Sequence, residues 1–156
     1  MLYLFSDGSS VGKVGDGGWA FVLLDEDVLL AERSDFADQT TNNRMELSGM
    51  IQGLQFIIQN YPLTSAIEAY SDSQYVVKGM NDWYSAWLVK MASGKIIKNQ
   101  DLWILFASVV SQLPNLTIKW VRGHSGHIYN ERCDQLANAA RKRIPNVPGQ
   151  LQESKP

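Results

Sequence analysis

Apolar residues recur along this chain in two rhythms, short solid runs and a helical repeat, with glycine and proline marking the boundaries. Leu2-Tyr3-Leu4-Phe5-Ser6 is a solid run that predicts a short buried strand ending at Asp7-Gly8. Gly8, Gly12, Gly15, Gly17 and Gly18 crowd residues 8–18, which read as a long turn. Residues 19–24 and 28–36 read as two further strands, joined by the acidic turn Asp25-Glu26-Asp27. Together the three strands predict an antiparallel meander.

The rhythm then changes. From Asn43 onward, Leu47, Ile51, Leu54 and Ile58 follow the four-three-four spacing of one helix face, widened by Met50 and Ile57, until Pro62 stops it. Residues 66–71 read as a fourth strand, 73–82 as a helix, and 83–99 as a segment helical at first and broken at Ser93-Gly94. An amphipathic helix over 101–112 ends near Pro114, a fifth strand covers 116–121, and a last helix covers 130–143. This order predicts an α/β fold: a mixed five-stranded sheet, three antiparallel strands first and parallel additions after, flanked by helices. Residues 1–143 make one domain in this reading. The tail, 144–156, carries Pro145, Pro148 and Pro156 with few apolar residues and is expected to be disordered.

Size and composition add exclusions. At 156 residues and 45% hydrophobic, the chain can bury a full single-domain core. Its apolar runs are too short or too interrupted to span a bilayer, so no membrane association is expected. The N-terminus lacks a basic n-region and a cleavage site, and Cys133 alone cannot form an intramolecular disulfide; a cytoplasmic protein is expected. The net charge of -2 hides an asymmetry, since residues 1–77 carry 3 basic and 11 acidic side chains while 78–156 carry 11 and 5. That balance argues against indiscriminate nucleic-acid binding, yet leaves a basic second half able to face phosphates.

Four acids stand in distinctive settings: Asp7 in Phe5-Ser6-Asp7-Gly8-Ser9, Glu46 in Thr41-Asn42-Asn43-Arg44-Met45-Glu46, Asp72 in Tyr70-Ser71-Asp72-Ser73-Gln74, and Asp134 in Asn130-Glu131-Arg132-Cys133-Asp134. The pattern places Asp7 at the end of the first strand and Asp72 just past the fourth, where layered sheets collect ligand sites. Glu46 and Asp134 fall near helix starts, where negative charge is tolerated. Oxygen-only sets of this kind suit hard divalent cations, and a pair of them would act on phosphate esters. A purely structural reading stays open for three of them: Asn43 and Glu46 have capping-box spacing, Asp72 can cap a helix at Ser73, and Asp7 can be a turn residue.

Taken in order, these segments resemble type 1 ribonuclease H. The likeness rests on Asp7-Gly8-Ser9, the glycine-rich 12–19 stretch, Thr40-Thr41-Asn42-Asn43-Arg44-Met45-Glu46, Asp72-Ser73-Gln74-Tyr75-Val76, and Gly123-His124-Ser125-Gly126-His127 through Asn130-Glu131-Arg132-Cys133-Asp134-Gln135-Leu136-Ala137. It covers nearly all of 2–143. It implies the ribonuclease H-like fold and hydrolysis of the RNA strand of an RNA–DNA hybrid, leaving 5′-phosphate and 3′-hydroxyl ends. It makes Asp7, Glu46, Asp72 and Asp134 the ligands of two Mg²⁺ ions, with Mn²⁺ able to substitute, and His124 the loop histidine that assists proton transfer or product release. His124 and His127 superficially suggest zinc, but no Cys or His cluster completes a tetrahedral site.

For the substrate, telling RNA from DNA requires contacts to the 2′-hydroxyl, for which the amides of Asn42 and Gln74 are suited. Thr41, Asn43 and the backbone around Gly8, Ser9 and Gly12 are candidates for holding phosphates, Thr41 and Asn43 being equally explicable as helix caps. Asn130 is either a substrate contact or a cap. Residues 83–99 correspond to the basic protrusion of many bacterial members but are only modestly basic, with Lys90, Lys95 and Lys98 as charges and Trp83 and Trp87 as either sugar-stacking rings or, the commoner fate of tryptophan, core residues. Two departures stand out: Lys13-Val14 replaces the common Asn-Pro, and the absence of a preceding hybrid-binding domain predicts low processivity. A monomer is expected. Two other readings remain: a related carboxylate–metal DNA nuclease or resolvase, and a non-catalytic hybrid-binding module.

Overall fold

The computed structural model describes residues 1–124 and 126–145. Leu2–Ser10 (β1) lies at the centre of a five-stranded sheet. Gly15–Asp25 (β2) pairs with it antiparallel, and Val28–Thr40 (β3) pairs with β2 in turn. Asn42–Asn60 (α1) crosses over to Ile67–Ser71 (β4), which runs parallel to β1 on its other side. Gln74–Lys78 (α2), a π-helical turn over Gly79–Trp83, Tyr84–Ala92 (α3) and Gln100–Ser111 (α4) then lead to Leu116–Trp120 (β5), parallel to β4. Ile128–Arg141 (α5) closes the described chain, and the strand order is β3-β2-β1-β4-β5. The expected mixed sheet is therefore present.

Both faces of the central strands are covered, which is why they read as solid apolar runs rather than alternating ones. Leu2, Leu4, Phe21 and Leu23 point to one side and pack with Leu47, Met50, Ile51 and Leu54 of α1 and with Trp103 and Phe106 of α4. Phe5, Ala20, Val22 and Leu24 point to the other and meet Cys133, Leu136 and Ala137 of α5. Each fully buried aliphatic or aromatic side chain of this set stabilises the fold by about 1.5–3 kcal/mol. Among the described residues no helix is long and apolar enough to cross a membrane.

The glycine-rich stretch departs from its expected form. Only residues 11–14 turn, whereas Gly15, Gly17 and Gly18 belong to β2 and extend β1 to Ser10 through the pairs Ser9↔Gly18 and Ser10↔Gly17. Glycine serves here as absence of bulk: a Cβ on Gly18 would stand 2.3 Å from the Ala137 carbonyl oxygen of α5. Asp7 is consequently inside a strand rather than at its end. The β1–β4 pairing nevertheless stops at Ser6↔Ser71, so Asp7 on β1 and Asp72, just beyond the end of β4, are the first residues past it.

Helix starts also shift. Thr41, not Asn43, caps α1, its hydroxyl accepting from the Arg44 amide at 3.2 Å, which rules out the capping box at Asn43 and puts Glu46 in the second turn. Ser73 rather than Asp72 caps α2, and His127 rather than Asn130 holds the cap position of α5, moving Asp134 into its second turn. The tail expectation lies mostly outside the described residues, as does Ser125.

Candidate metal centre

The end of the β1–β4 seam is where the acids meet. Asp7 lies on β1, Asp72 follows β4, and α1 brings Glu46 down onto them. Its approach is close because Gly8 has no side chain: a Cβ there would fall 2.2 Å from the Met45 carbonyl carbon and 2.3 Å from the Glu46 nitrogen. One ligand oxygen from each of Asp7, Glu46 and Asp72 lies within 4.8 Å of the other two. Asp7 and Glu46 are each only 4% exposed. The Gly8 amide donates to both, to Asp7 Oδ1 at 2.8 Å and Glu46 Oε1 at 2.9 Å.

Asp134 stands slightly outside this trio, half-buried on the wall of the same cleft. That cleft, about 390 Å³, is lined by Asp7, Glu46, Asp72 and Asp134 together with Gly8, Ser9, Asn42, Ser73, Gly123, His124 and Asn138. A larger hollow of about 560 Å³ lies between β3 and α5, but its Glu32 is already held by Arg132 through two bonds of 2.9 Å.

Gathering acids this way has an electrostatic cost that shows in their protonation. Burial raises the Asp7 carboxyl to about 7, aided by the charges of Asp72 and Asp134 and opposed by hydrogen bonds from Glu46 and Gly8. Burial, then the Asp7 charge, pushes Glu46 well above the usual carboxylate range. Asp72 is raised by burial and by Asp134, against a hydrogen bond with Asn130 and the charge of His124. The Glu46 Oε2 atom is buried with no hydrogen-bond partner among the described residues, and a Glu46 oxygen lies within 4.8 Å of an Asp7 oxygen. Two such oxygens need a proton or a cation between them. The donor set is all oxygen, so the site fits a hard divalent cation.

The remaining sequence candidates divide. Gly8, Ser9, Asn42 and His124 line the cleft, His124 with a left-handed backbone (φ +53°). Asn130 is 2% exposed, and its side-chain hydrogen bond holds the Asp72 carboxyl down against the burial that raises it. Thr41 and Asn43 lie at the α1 start on either side of Asn42, whereas Gly12, Gln74, Trp83 and Trp87 do not line the cleft. Trp87 packs 4.8 Å from the buried Trp103 ring, while Trp83 is 43% exposed. His127 packs against Phe5 at 4.9 Å, consistent with a structural role. Ser73, Gly123 and Asn138 join the site without a sequence signal of comparable strength. Asn138 has the best of them, because it lies four residues after Asp134 and so on the same helix face.

Comparisons with known proteins give the chain its relatives. The RNase H family model matches residues 1–142. A ribonuclease H of Thiobacillus denitrificans is 42% identical over 141 residues, spanning 88% of this chain and 91% of its own length. A ribonuclease HI of Haemophilus ducreyi is also 42% identical, covering 86% of each. The fold superimposes on the crystal structure of LC11-RNase H1 in complex with RNA/DNA hybrid with a TM-score of 0.75 at 22% identity, over 92% of this chain and 98% of that one. With its carboxylates gathered at the end of that shared sheet and its sequence matched from Met1 to Lys142, the chain belongs to the RNase H family.

Proposed function

We propose that this protein is an endonuclease that hydrolyses the RNA strand of RNA–DNA hybrids with two Mg²⁺ ions. The observation that carries the reading is the convergence of Asp7, Glu46 and Asp72 within 4.8 Å in a family whose curated relatives are named ribonuclease H. Asp7, Glu46, Asp72 and Asp134 would hold the cations, with Asp7 the most firmly placed of the four because the central strand fixes it. When bound, the ions would activate water for attack and offset charge developing on the leaving 3′-oxygen.

The chain's own groups do the rest. Water adds to phosphorus, the P–O3′ bond breaks, and the products carry a 5′-phosphate and a 3′-hydroxyl. His124, on the rim beside Asp72, carries protons between solvent and the reacting oxygens, a task that suits an imidazole because it can both accept and release one. Asn42 and Gln74 read the sugar edge that distinguishes RNA. The Thr41 hydroxyl, its oxygen already accepting from Arg44, still has a proton to offer a phosphate of the DNA strand, with Asn43 and the backbone of Gly8, Ser9 and Gly12 as further phosphate contacts. Asn130 serves through Asp72. Trp83, exposed, is the better of the two candidate stacking rings, and Trp87 supports it at 6.1 Å. A monomer acting in the cytoplasm completes the proposal.

The test is incubation with hybrid, duplex DNA and duplex RNA, each strand labelled in turn, with Mg²⁺ or with chelator. Cleavage limited to the RNA of the hybrid and abolished by chelator is expected. Cleavage of duplex DNA, or hybrid retention without any cleavage, would overturn the assignment.

A further inference from the structure

We infer that Asn138 is a positioning residue for Asp134, holding the outermost carboxylate of the cleft in the setting that completes the cation site; the inference rests on the metal-dependent reading above. Asn138 stands one turn after Asp134 on α5, and both ends of its amide are engaged. Its Nδ2 donates to Asp134 Oδ1 at 3.1 Å and to the Asp134 carbonyl at 2.9 Å. Its Oδ1 accepts from Ser9 Oγ at 2.8 Å and from Arg141 Nη2 at 3.2 Å. Ser9 Oγ in turn accepts from Arg141 Nε at 3.1 Å, which closes a ring of three side chains.

These partners permit only one amide orientation. Reversed, the Asn138 NH₂ would face a guanidinium and its oxygen a carboxylate. The ring also crosses the fold, because Ser9 lies two residues past Asp7 on β1. The outer acid is thereby tied to the strand that carries the inner one.

The other three acids have their own fixtures. Asp7 and Glu46 are buried against the Gly8 amide, and Asp72 is bonded to Asn130. A half-buried helical carboxylate would otherwise exchange between rotamers, and the entropy lost in fixing it at the moment of binding would weaken cation affinity. A neutral amide supplies that order without cancelling the charge the cation needs. Arg141 stays one step behind, where its charge reaches Asp134 through the polarised amide instead of competing as a direct ion pair.

Calorimetric titration of the whole protein with Mn²⁺, without substrate, tests this in the wild type, Asn138→Ala and Arg141→Gln. Asn138→Ala should weaken Mn²⁺ binding on the order of 10-fold. It should raise the Mg²⁺ concentration for half-maximal cleavage by a similar factor, leave KM for the hybrid unchanged and regain most of kcat at high Mg²⁺. Arg141→Gln, which opens the ring from its far end, should give a smaller change in the same direction and serves if Asn138→Ala does not fold. Equal Mn²⁺ affinity in all three proteins overturns the inference, as does a changed KM with an unchanged Mg²⁺ requirement. A wild type that binds no Mn²⁺ would instead count against the metal reading itself.

Discussion

Asp7 carries the sharpest conflict between folding and chemistry. Its carboxyl, raised to about 7 by burial, keeps a proton that the unfolded chain releases near its ordinary value of 3.8. Between those values the native state binds more protons than the unfolded one, so metal-free stability must fall as pH rises. Glu46 and Asp72 are raised as well and act in the same direction. Denaturant unfolding in chelator from pH 4 to pH 8 should show this decline, and saturating Mg²⁺ should flatten it at the alkaline end; a flat metal-free profile would contradict the protonation assigned here. Asp7→Asn removes the ionisation altogether. At pH 8 without metal the variant should be more stable by on the order of 2 kcal/mol, yet its hybrid cleavage should drop by at least about 100-fold. Retained turnover would remove Asp7 from the chemistry.

At the scale of elements, the site depends on how closely two helices approach one sheet. Gly8 admits α1 and Gly18 admits α5. Gly18→Val would thrust a side chain against the backbone of Ala137 and Arg141, costing about 3 kcal/mol by chemical denaturation and displacing Asp134 so that activity falls further than stability alone explains. Native-like stability in that variant would refute the tight packing of α5. The sequence makes these elements legible unevenly. The α1 face is plain because Leu47, Ile51 and Leu54 repeat at helical spacing, and all three are buried. The β2 start is not, because glycine signals both turns and close backbone approach, and only the partner helix distinguishes them. The cap of α1 is ambiguous because Thr41, Asn42 and Asn43 all suit that position, and backbone geometry chooses among them. The α3 region poses a separate question. Lys90, Lys95 and Lys98 are exposed and spread over the α3 helix and the loop after it. Their joint replacement by alanine should weaken hybrid binding and reduce its salt slope by about one for each phosphate no longer neutralised; an unchanged slope would dismiss them as ligands.

For the whole molecule, topology does what no local signal could. Asp7 and Asp72 are 65 residues apart in sequence and become neighbours because β4 joins β1 in parallel, with their shared pairing ending one residue before each. Parallel pairing requires a crossover, and α1 is that crossover, so the element that connects the strands also delivers Glu46. The four acids are recognisable from their local contexts and from the family likeness, whereas the tighter trio, the outer place of Asp134 and the Asn138 ring emerge only from side-chain packing. The direct test of the metal centre is a crystal of the protein soaked in Mn²⁺ and measured for anomalous scattering. Anomalous density is expected among Asp7, Glu46, Asp72 and Asp134. Ions bound only elsewhere on the surface, or an ion-free cleft at saturating Mn²⁺, would contradict it.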